Sequence, residues 1–466
     1  MGKSLLFVVL GLLGACQLAP EHIRPALPTE AGYPTEYSID QVGSQAAHQL
    51  NWHEVFVDPK LEVLVETALV NNRDMQVAVL RIDEARAAYR IQHASRLPSV
   101  SGTAGAQRGR TSIAASGVNA GVAESYTAGF AIPAFELDFW GRVHNLSESA
   151  LRNYLATVEA ARAFQLSLAR DVALTYLATL EAEERIALAE RTVQARSDQL
   201  RIAHRRLDAG VTSELEFRQA ETLLTQAQAE MAGLRLTHAQ TNNLLTVLIG
   251  GPLGDDLPMP HALANQVGVS ALSAGLPSNL LESRPDIRAS EESLIAARAN
   301  IGAARAAFFP SIQLTGNTGY ASTELDALIG EDGRAWTFGP SINLPIFDFG
   351  RRRASLDVAK AREHIAVARY EQTVQTAFRE VADALAGRRY LAAQVAAQER
   401  GVVAQRRLSE LAQKRYSEGV VRYLEVLDAE RSLFAAEQAL LQVRRIEAGN
   451  HVALYIALGG NPPKVQ

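Results

Sequence analysis

The chain repeats itself once, and this duplication limits its fold more than any other feature of the sequence. ARAAYRIQHASRLPSVSGTAG, beginning at Ala85, matches ARANIGAARAAFFPSIQLTGN, beginning at Ala297, an offset of 212 residues. Gly141 matches Gly350 at an offset of 209. Two further pairs keep that spacing, RRLDAGVTSELEFRQAE with KRYSEGVVRYLEVLDAE and LIGG with ALGG. A constant offset over such a distance predicts two copies of one structural unit.

Each copy contains one long stretch without proline. No proline lies between Pro133 and Pro252, or between Pro345 and Pro462. Because proline breaks a helix interior, both stretches are predicted to be mostly helical. A helix from 142 to 208 would be about 100 Å long at 1.5 Å per residue. Such lengths are typical of a coiled coil or a helical tube.

The second copy also carries an apolar row with a period of seven residues. A strict seven-residue row predicts a left-handed supercoil. The matching row in the first copy is much weaker, so the two copies need not pack alike. The members of the strong row are Val420, Leu427, Phe434, Leu441, Ala448 and Tyr455.

Between the helical stretches, residues 99–140 and 311–349 alternate with a period of two. Glycine, threonine and aromatic residues are frequent there, which indicates β-strands. Each segment is predicted to hold two strands around a polar, glycine-rich loop, at 108–123 and 323–334. One strand would carry four apolar residues on a single face: Trp336, Phe338, Ile342 and Leu344.

Four strands are too few to close a conducting barrel. A sheet edge exposed to lipid would leave backbone groups without hydrogen bonds, so a spanning sheet must close on itself. If this sheet spans a membrane, several chains must therefore complete it. The alternative from the residues alone is a soluble helical protein with two surface hairpins.

The first residues have the pattern of an exported lipoprotein. Lys3 precedes an apolar run from Leu5 to Leu13, and small residues stand just before Cys16. This pattern predicts a secretory signal peptide. The order Leu-Gly-Ala-Cys resembles a bacterial lipobox, which implies cleavage before Cys16 and acylation of its thiol. Cys16 is the only cysteine, and Gln17, rather than an aspartate, favours the outer membrane.

Composition and motifs argue against several classes of function. The net charge is −5 and charges of both signs are interspersed, so no basic region predicts nucleic-acid binding. HExxH, GxSxG and Walker motifs are missing, and the ten histidines are scattered. We therefore expect no enzyme activity, no cofactor and no metal site.

Six longer motifs carry a family resemblance: WHEVFVDPKLEVLVETALVNNRD, GLPSNLLESRPDI, IGAARAAFFPSI, INLPIFDFG, TAFREVADAL and YLEVLDAERSLFAAEQ. The chain resembles the TolC family of outer-membrane efflux channels, in particular its OprM-like lipoprotein branch. This resemblance implies an α + β channel built as a homotrimer. Each chain would give four strands to a 12-stranded outer-membrane barrel, continuous with a long periplasmic barrel of coiled-coil helices.

The duplication and the resemblance together predict the organisation of the chain. The predicted segments are a signal peptide (1–15), a lipidated N-terminal equatorial segment (16–60), repeat 1 (61–251), an equatorial linker (252–280), repeat 2 (281–460) and a tail (461–466). Repeat 1 would hold a hairpin at about 99–140 and a helical tip at about 205–217. Repeat 2 would hold a hairpin at about 311–349 and a tip at about 414–426.

The helical tips are the predicted functional sites. A glycine between two helices, Gly210 or Gly419, fits a left-handed turn. Glu425 and Asp428 are three residues apart and so lie on one helix face, which by itself is more often only a solvated surface. The resemblance implies that this pair forms acidic rings at a closed periplasmic entrance. It also implies entrance roles for Glu216, Tyr416 and Arg422, and adaptor contacts at Gly210, Val211, Gly419 and Val420.

The function implied is the exit duct of a tripartite drug efflux pump of the RND type, which conducts small amphiphilic compounds passively. Its partners would be two further copies of the chain, a periplasmic adaptor, an inner-membrane transporter and outer-membrane lipid. Heavy-metal export and type I secretion are alternatives within the family. A non-conducting structural lipoprotein is an alternative outside it, although it leaves the alternating hairpins unexplained.

Overall fold

The structure is a computed structural model, and it describes residues 17–26, 28–29, 32–33, 36, 45–46, 52, 56–110, 122–254, 256–266, 272–273 and 280–460. Cys16 lies outside these residues, so its acylation stays a prediction. The chain divides into two compact units. Unit 1 comprises Met1–Ala26, Arg81–Val158 and Ala289–Tyr370, and unit 2 comprises Leu27–Leu80, Glu159–Arg288 and Glu371–Gln466.

Unit 1 contains a four-stranded antiparallel sheet. Its strands are β1 (Ser101–Arg110), β2 (Val122–Leu137), β3 (Ser311–Ser322) and β4 (Arg334–Asn343), in the order β1-β2-β3-β4. Each hairpin segment predicted from the alternating pattern thus supplies two neighbouring strands. Among the described residues, β1 and β4 have a paired neighbour on one side only.

Two local features shape the contact between the hairpins. The register of β2 against β3 shifts between Ile132 and Phe135, next to Pro133, which has no N–H to donate. Gly129 faces Gly319 in the same pair, and a Cβ on Gly129 would lie 2.5 Å from the Thr318 carbonyl oxygen. The two backbones therefore approach more closely than a side chain would allow.

The apolar face predicted for the last strand is present and exposed. Trp336, Phe338 and Ile342 alternate along β4, with 75%, 64% and 71% of their surfaces accessible in the single chain. Leu344 is exposed too, but it lies one residue beyond the strand end. An exposed apolar face on an antiparallel sheet is what contact with lipid requires.

Two helices of 67 residues, Arg142–Asp208 and Arg351–Ser417, dominate the chain, and the first has the bounds expected from the sequence. The α-helices of the described residues are α1 (Pro59–Asn71), α2 (Arg73–Ala94), α3 (Arg142–Asp208), α4 (Glu214–Ile249), α5 (Leu280–Ser283), α6 (Pro285–Ala306), α7 (Arg351–Ser417) and α8 (Tyr423–Ala457). No helix among the described residues combines the length and apolar content needed to span a bilayer.

The long helices begin in the same way in both copies. Gly141 and Gly350 have positive φ angles of 71° and 86°, and α3 and α7 start at the next residue. An aspartate accepts a backbone hydrogen bond in each first turn, Asp138 from His144 at 2.6 Å and Asp348 from Arg352 at 3.0 Å. A carboxylate is stabilising there because it satisfies an N–H and opposes the helix dipole.

The residues that follow Cys16 lie against α6 in unit 1. Arg24 donates to Glu291 at 2.9 and 3.0 Å, and Arg305 donates to the Leu18 carbonyl at 2.9 Å. Gly302 leaves room for this segment, because a Cβ there would lie 2.8 Å from Ala19. The chain is therefore held on a helix within two residues of the predicted lipid attachment site.

A buried carboxylate organises the part of unit 2 around α1. Asp58 is fully buried and caps α1, accepting from the Lys60 N–H at 2.8 Å. It also accepts from the Tyr176 hydroxyl at 2.7 Å and the His261 N–H at 3.1 Å. These bonds join α1, α3 and the linker, and they replace the water that a buried carboxylate loses.

A two-residue parallel pairing, Gln45–Ala46 with Leu272–Ser273, also belongs to unit 2.

Candidate functional site at the helix tips

Both helical hairpins end in the same hydrogen-bonded turn. At the first tip, Gly210 has a φ of 69° and donates to the Leu207 carbonyl at 2.9 Å, while Val211 donates to Arg206 at 2.8 Å. At the second tip, Gly419 has a φ of 74°, and the Val420 N–H donates to the carbonyl five residues before it at 2.9 Å. This is the Schellman ending, in which glycine takes the left-handed position. The left-handed turns predicted at both glycines are confirmed.

One hydrophobic cluster joins the two tips within unit 2. It draws on the ends of α3 and α7 and on the starts of α4 and α8, so the two hairpins bury apolar surface against each other. Burial of this kind is the main force available to hold the tips together. The buried members are Ala203, Ala220, Leu223, Tyr423, Val426 and Leu427, and Leu200, Phe217, Ala412 and Tyr416 pack against them.

Tyr416 links the hairpins at the edge of this cluster. Arg206, near the end of α3, donates a hydrogen bond to the Tyr416 hydroxyl, and its guanidinium lies 5.7 Å from the centre of the Tyr416 ring. The Tyr416 and Tyr423 rings are tilted against each other at 5.1 Å. Tyr416 is half-buried, so the Arg206 contact is partly shielded from water.

Tyr423 is the aromatic centre of the cluster. It is 8% exposed, and burial raises its pKa to about 12. The charge of Glu430, the Tyr416 hydroxyl and the charge of Glu216 raise this pKa further, while Arg206 lowers it. Tyr423 is therefore a neutral phenol at physiological pH.

Glu216 has a local role that the sequence prediction did not include. It stands three residues after Ser213, whose hydroxyl accepts from the Glu216 N–H at 3.4 Å, and its carboxylate accepts from the Thr212 hydroxyl. Ser-x-x-Glu at a helix start is the capping-box pattern. The sequence Ser-Glu-Leu-Glu at 213–216 therefore marks the start of α4. This capping role of Glu216 is separate from the entrance role predicted for it.

The predicted acidic pair lies on the exposed face of α8. Glu425 and Asp428 are both exposed, and Asp428 forms an ion pair with Arg431 at 2.5 Å. Arg422 is the exposed N-cap residue, and its carbonyl accepts from the Glu425 N–H at 3.0 Å. Acidic residues in a first helical turn are favourable with respect to the helix dipole.

The structure thus separates the five predicted entrance residues into two groups. Tyr416 packs against the cluster beside Tyr423, and the charge of Glu216 acts on Tyr423 from nearby. Arg422, Glu425 and Asp428 face solvent. Within one chain, the described residues form one hydrogen bond between two of the five, the backbone bond from Glu425 to the Arg422 carbonyl at the start of α8. No side-chain hydrogen bond or ion pair among the described residues joins two of the five. Side-chain contacts among them would therefore have to form between chains.

A polar layer follows the cluster along the same helices. Arg196 is 4% exposed, donates to the Leu223 carbonyl at 2.7 Å and lies 5.3 Å from the Phe434 ring centre. Glu430 accepts from Gln199 at 2.7 Å. Burial raises the pKa of Glu430 and lowers the pKa of Arg196, because both charged forms are removed from water.

Sequence reasoning missed Arg206, Tyr423 and this layer. Arg206 and Tyr416 are 210 residues apart, so nothing local marks their contact. The duplication provided the one usable signal, since it aligns Gly210 with Gly419 and so places the two tips at equivalent positions.

The tips also expose apolar side chains at matching positions of the two copies. Val211 and Val420 each follow the turn glycine, and Leu215 and Leu424 each lie in the next helical turn. All four are more than half exposed in the single chain. Exposed aliphatic residues grouped at one place are typical of a surface that contacts another protein. Within the described ranges, no cluster of His, Asp or Glu side chains is suited to hold a metal ion.

Comparisons with known proteins agree on a single family. The family model described as outer membrane efflux protein matches residues 64–251 and 276–460. The solvent efflux pump outer membrane protein SrpC of Pseudomonas putida is 42% identical, with 98% of each chain covered. The cation efflux system protein CusC of Escherichia coli is 40% identical, again with 98% of each chain covered.

A solved structure shares the fold over nearly the whole chain. The open state of the MtrE outer membrane channel of Neisseria gonorrhoeae has a TM-score of 0.88 and 38% identity, covering 96% of this chain and 98% of that one. The predicted fold class, an α + β channel whose chain gives four strands to a homotrimeric 12-stranded barrel, is confirmed. The soluble helical alternative is wrong, because the matching family model, SrpC and MtrE are all described as outer membrane proteins. The chain therefore belongs to the outer membrane efflux protein family and acts as the outer membrane component of an efflux pump.

Proposed function

We propose that this chain forms the exit duct of a tripartite efflux pump and that its helix tips are the periplasmic entrance. The observation that carries this proposal is the joint cluster at the tips. It gathers the ends of four helices into one body, with acidic residues on one exposed surface and aliphatic residues at the turns. A passive duct needs no nucleophile, and its moving part needs only two arrangements of similar energy.

In a trimer, the exposed Glu425 and Asp428 of each chain would form two rings of three carboxylates. Such rings attract cations and repel anions near a pore mouth. Arg422 is exposed on the same helix start and is available to an acidic residue of a neighbouring chain. Each exposed ionic contact contributes about 0–1 kcal/mol, so a bound partner could supply enough free energy to rearrange them.

The partner that we assign to the tips is a periplasmic adaptor connected to an inner-membrane transporter. Val211 and Val420 are its proposed contacts, together with Gly210 and Gly419, whose left-handed turns present these valines. Leu215 and Leu424 would extend the apolar surface, since both are exposed one turn further on. Hydrophobic contact at the turns and charge near the pore would thus be separate functions of the same tips.

For cargo, we propose small amphiphilic compounds and an RND-type transporter. SrpC is named for solvent efflux and is 42% identical to this chain. CusC is named for cation efflux at 40% identity, so metal export remains the second candidate. Acylation of Cys16 is proposed as the additional membrane anchor, because several acyl chains anchor a protein much better than one.

The decisive experiment is conductance across a planar bilayer, with and without Glu425→Ala plus Asp428→Ala. We expect larger channel events and weaker cation selectivity in the double variant. A matched control removes two ion-paired carboxylates remote from the tips, Glu190→Ala plus Asp357→Ala, and should leave both properties unchanged. Unchanged conductance and selectivity in the tip variant, with the trimer intact, would refute the acidic entrance.

A further inference from the structure

One face of the four-stranded sheet carries basic residues at the end where its hairpins turn. Residues directly opposite each other in an antiparallel pair point to the same side of a sheet, so the register assigns each side chain to a face. Three exposed arginines share the face of Trp336 and Phe338: Arg108 and Arg110 at the end of β1, and Arg334 at the start of β4. At this end the opposite face carries only neutral, non-aromatic residues: Gln107, Gly109, Ala123, Ser125, Ala321 and Ala335.

The arginines lie just beyond an apolar band. On β4 the band runs from Ile342 through Phe338 to Trp336, and Arg334 is the next residue on that face. Arg334 is eight positions from Ile342, or about 27 Å along a strand that rises about 3.4 Å per residue. A strand tilt of about 35–45° reduces this to about 20 Å across the membrane, close to the roughly 25 Å height of an outward apolar band. Arg334 is therefore at the level where lipid headgroups begin.

The connections of the sheet show which leaflet these headgroups belong to. At the end opposite the turns, β1 follows α2, β2 precedes α3, β3 follows α6 and β4 precedes α7. The long helices of this fold class extend into the periplasm, so the turn end of the sheet faces the exterior. The arginines therefore lie at the headgroup level of the outer leaflet.

Closure of the trimer brings arginines of two chains together. Because β1 and β4 are the edge strands of one chain, β4 lies next to β1 of the neighbouring chain in the 12-stranded barrel. Neighbouring strands are about 4.8 Å apart, which is less than the length of an arginine side chain. Arg334 of one chain therefore shares a seam with Arg108 and Arg110 of the next, and the trimer has three such seams.

Few acidic groups compensate for this basic seam. Glu124 lies opposite Arg108 and pairs with it at 3.0 Å. In the described part of the chain, neither Arg110 nor Arg334 forms an ion pair. The turn sequence 111–121 contains no acidic residue, and the four exposed acidic residues of the loop 323–333 do not pair with Arg334. Each seam therefore holds two guanidinium groups that can bind an anion.

We infer that each seam binds the phosphate group of an outer-leaflet lipid. A guanidinium group matches phosphate with paired, charge-assisted hydrogen bonds. The acyl chains of the same lipid would lie along the apolar band, against Trp336 and Phe338. The lipid would thus bridge two chains at the outer rim of the barrel, and its phosphate would offset the repulsion among the three arginines.

Phosphatidic acid is a suitable probe, because it is a bare phosphate on two acyl chains, whereas diacylglycerol has the same chains without the phosphate. Native mass spectrometry of the full-length trimer in a neutral detergent should count three tightly bound phosphatidic acid molecules. We expect diacylglycerol to bind at least tenfold more weakly, and equal binding of the two lipids would overturn the inference. Complete displacement of phosphatidic acid by an equimolar amount of inorganic phosphate would indicate a site for free anions and would overturn it too.

Variants at the rim test the location. An arginine near an anionic lipid surface tightens binding about fivefold, so Arg110→Gln plus Arg334→Gln should weaken phosphatidic acid binding roughly twentyfold. The matched control, Arg81→Gln plus Arg362→Gln, removes two exposed arginines from α2 and α7 and should bind as the parent does. Undiminished binding in the rim variant, or equal weakening in the control, would place the lipid elsewhere and refute the site.

A charge-preserving variant guards against a rim change that only disturbs assembly. Arg110→Lys plus Arg334→Lys should bind phosphatidic acid more tightly than the glutamine variant, because both positive charges remain. Equal weakness of the lysine and glutamine variants would refute the role of charge at the seam. None of these outcomes depends on the entrance proposed at the tips.

Discussion

The hydrogen bond between Arg206 and Tyr416 gives the sharpest test of how the tips are held. Tyr416→Phe removes only the hydroxyl, so the ring keeps its place beside Tyr423 and the change reports on one bond. A hydrogen bond to a charged group contributes about 1.5–3 kcal/mol, and half-burial of Tyr416 reduces this to about 1 kcal/mol. If opening separates α3 from α7 at the tips, this loss raises the ratio of open to closed channels roughly fivefold.

Single-channel recording measures that ratio directly, and a double-mutant cycle isolates the pair. Tyr416→Phe, Arg206→Met and the double variant should show a coupling of about 1 kcal/mol, because the double variant loses the same bond only once. A ratio unchanged in Tyr416→Phe, with a stable trimer, would mean that the bond survives opening and that the two hairpins move as one body. Additive effects of the two single changes would refute the reasoning about the bond itself.

Three further predictions concern stability. Gly210→Ala should lower the free energy of unfolding by about 1 kcal/mol, because Gly210 has a φ of 69° with open space around it. Gly401→Ala, in the middle of a helix, is the control and should not destabilise the protein. Thermal unfolding followed by circular dichroism compares the two variants, and equal midpoints would contradict the prediction. Because the pKa of Glu430 is raised, the folded state binds more protons at this carboxyl than the unfolded chain does. The contribution of Glu430 to the stability of the folded state is therefore most favourable below about pH 4.5, and it weakens as pH rises through the raised pKa. Glu430→Gln should therefore flatten the stability profile above pH 4.5, and an unchanged profile would refute this. Gly129→Ala should reduce the amount of heat-resistant trimer seen on a gel, since the added Cβ would lie 2.5 Å from the Thr318 carbonyl oxygen. An undiminished amount of trimer would show that the two strands can move apart at little cost and would contradict the prediction.

Much of the candidate site was predictable, but not its internal contacts. The duplication located both tips, and glycine between two helical stretches predicted their left-handed turns. Glu425 and Asp428 were expected on one face from their spacing, and both are exposed there. The proposal that they form rings depends on neighbouring chains, which spacing within one chain does not describe.

Local chemistry explains why the sequence alone determined the elements. A stretch without proline, preceded by a glycine just before Arg142, determines α3. The alternation of apolar side chains determines β4. Both signals are local, because backbone sterics and side-chain periodicity act between near neighbours. The tertiary structure decided which distant residues meet. Arg206 reaches Tyr416 across 210 residues, and Asp58 gathers donors from three segments. Such contacts depend on how whole helices pack rather than on any local preference. At the tips, burial of the hydrophobic cluster brings Arg206 to Tyr416.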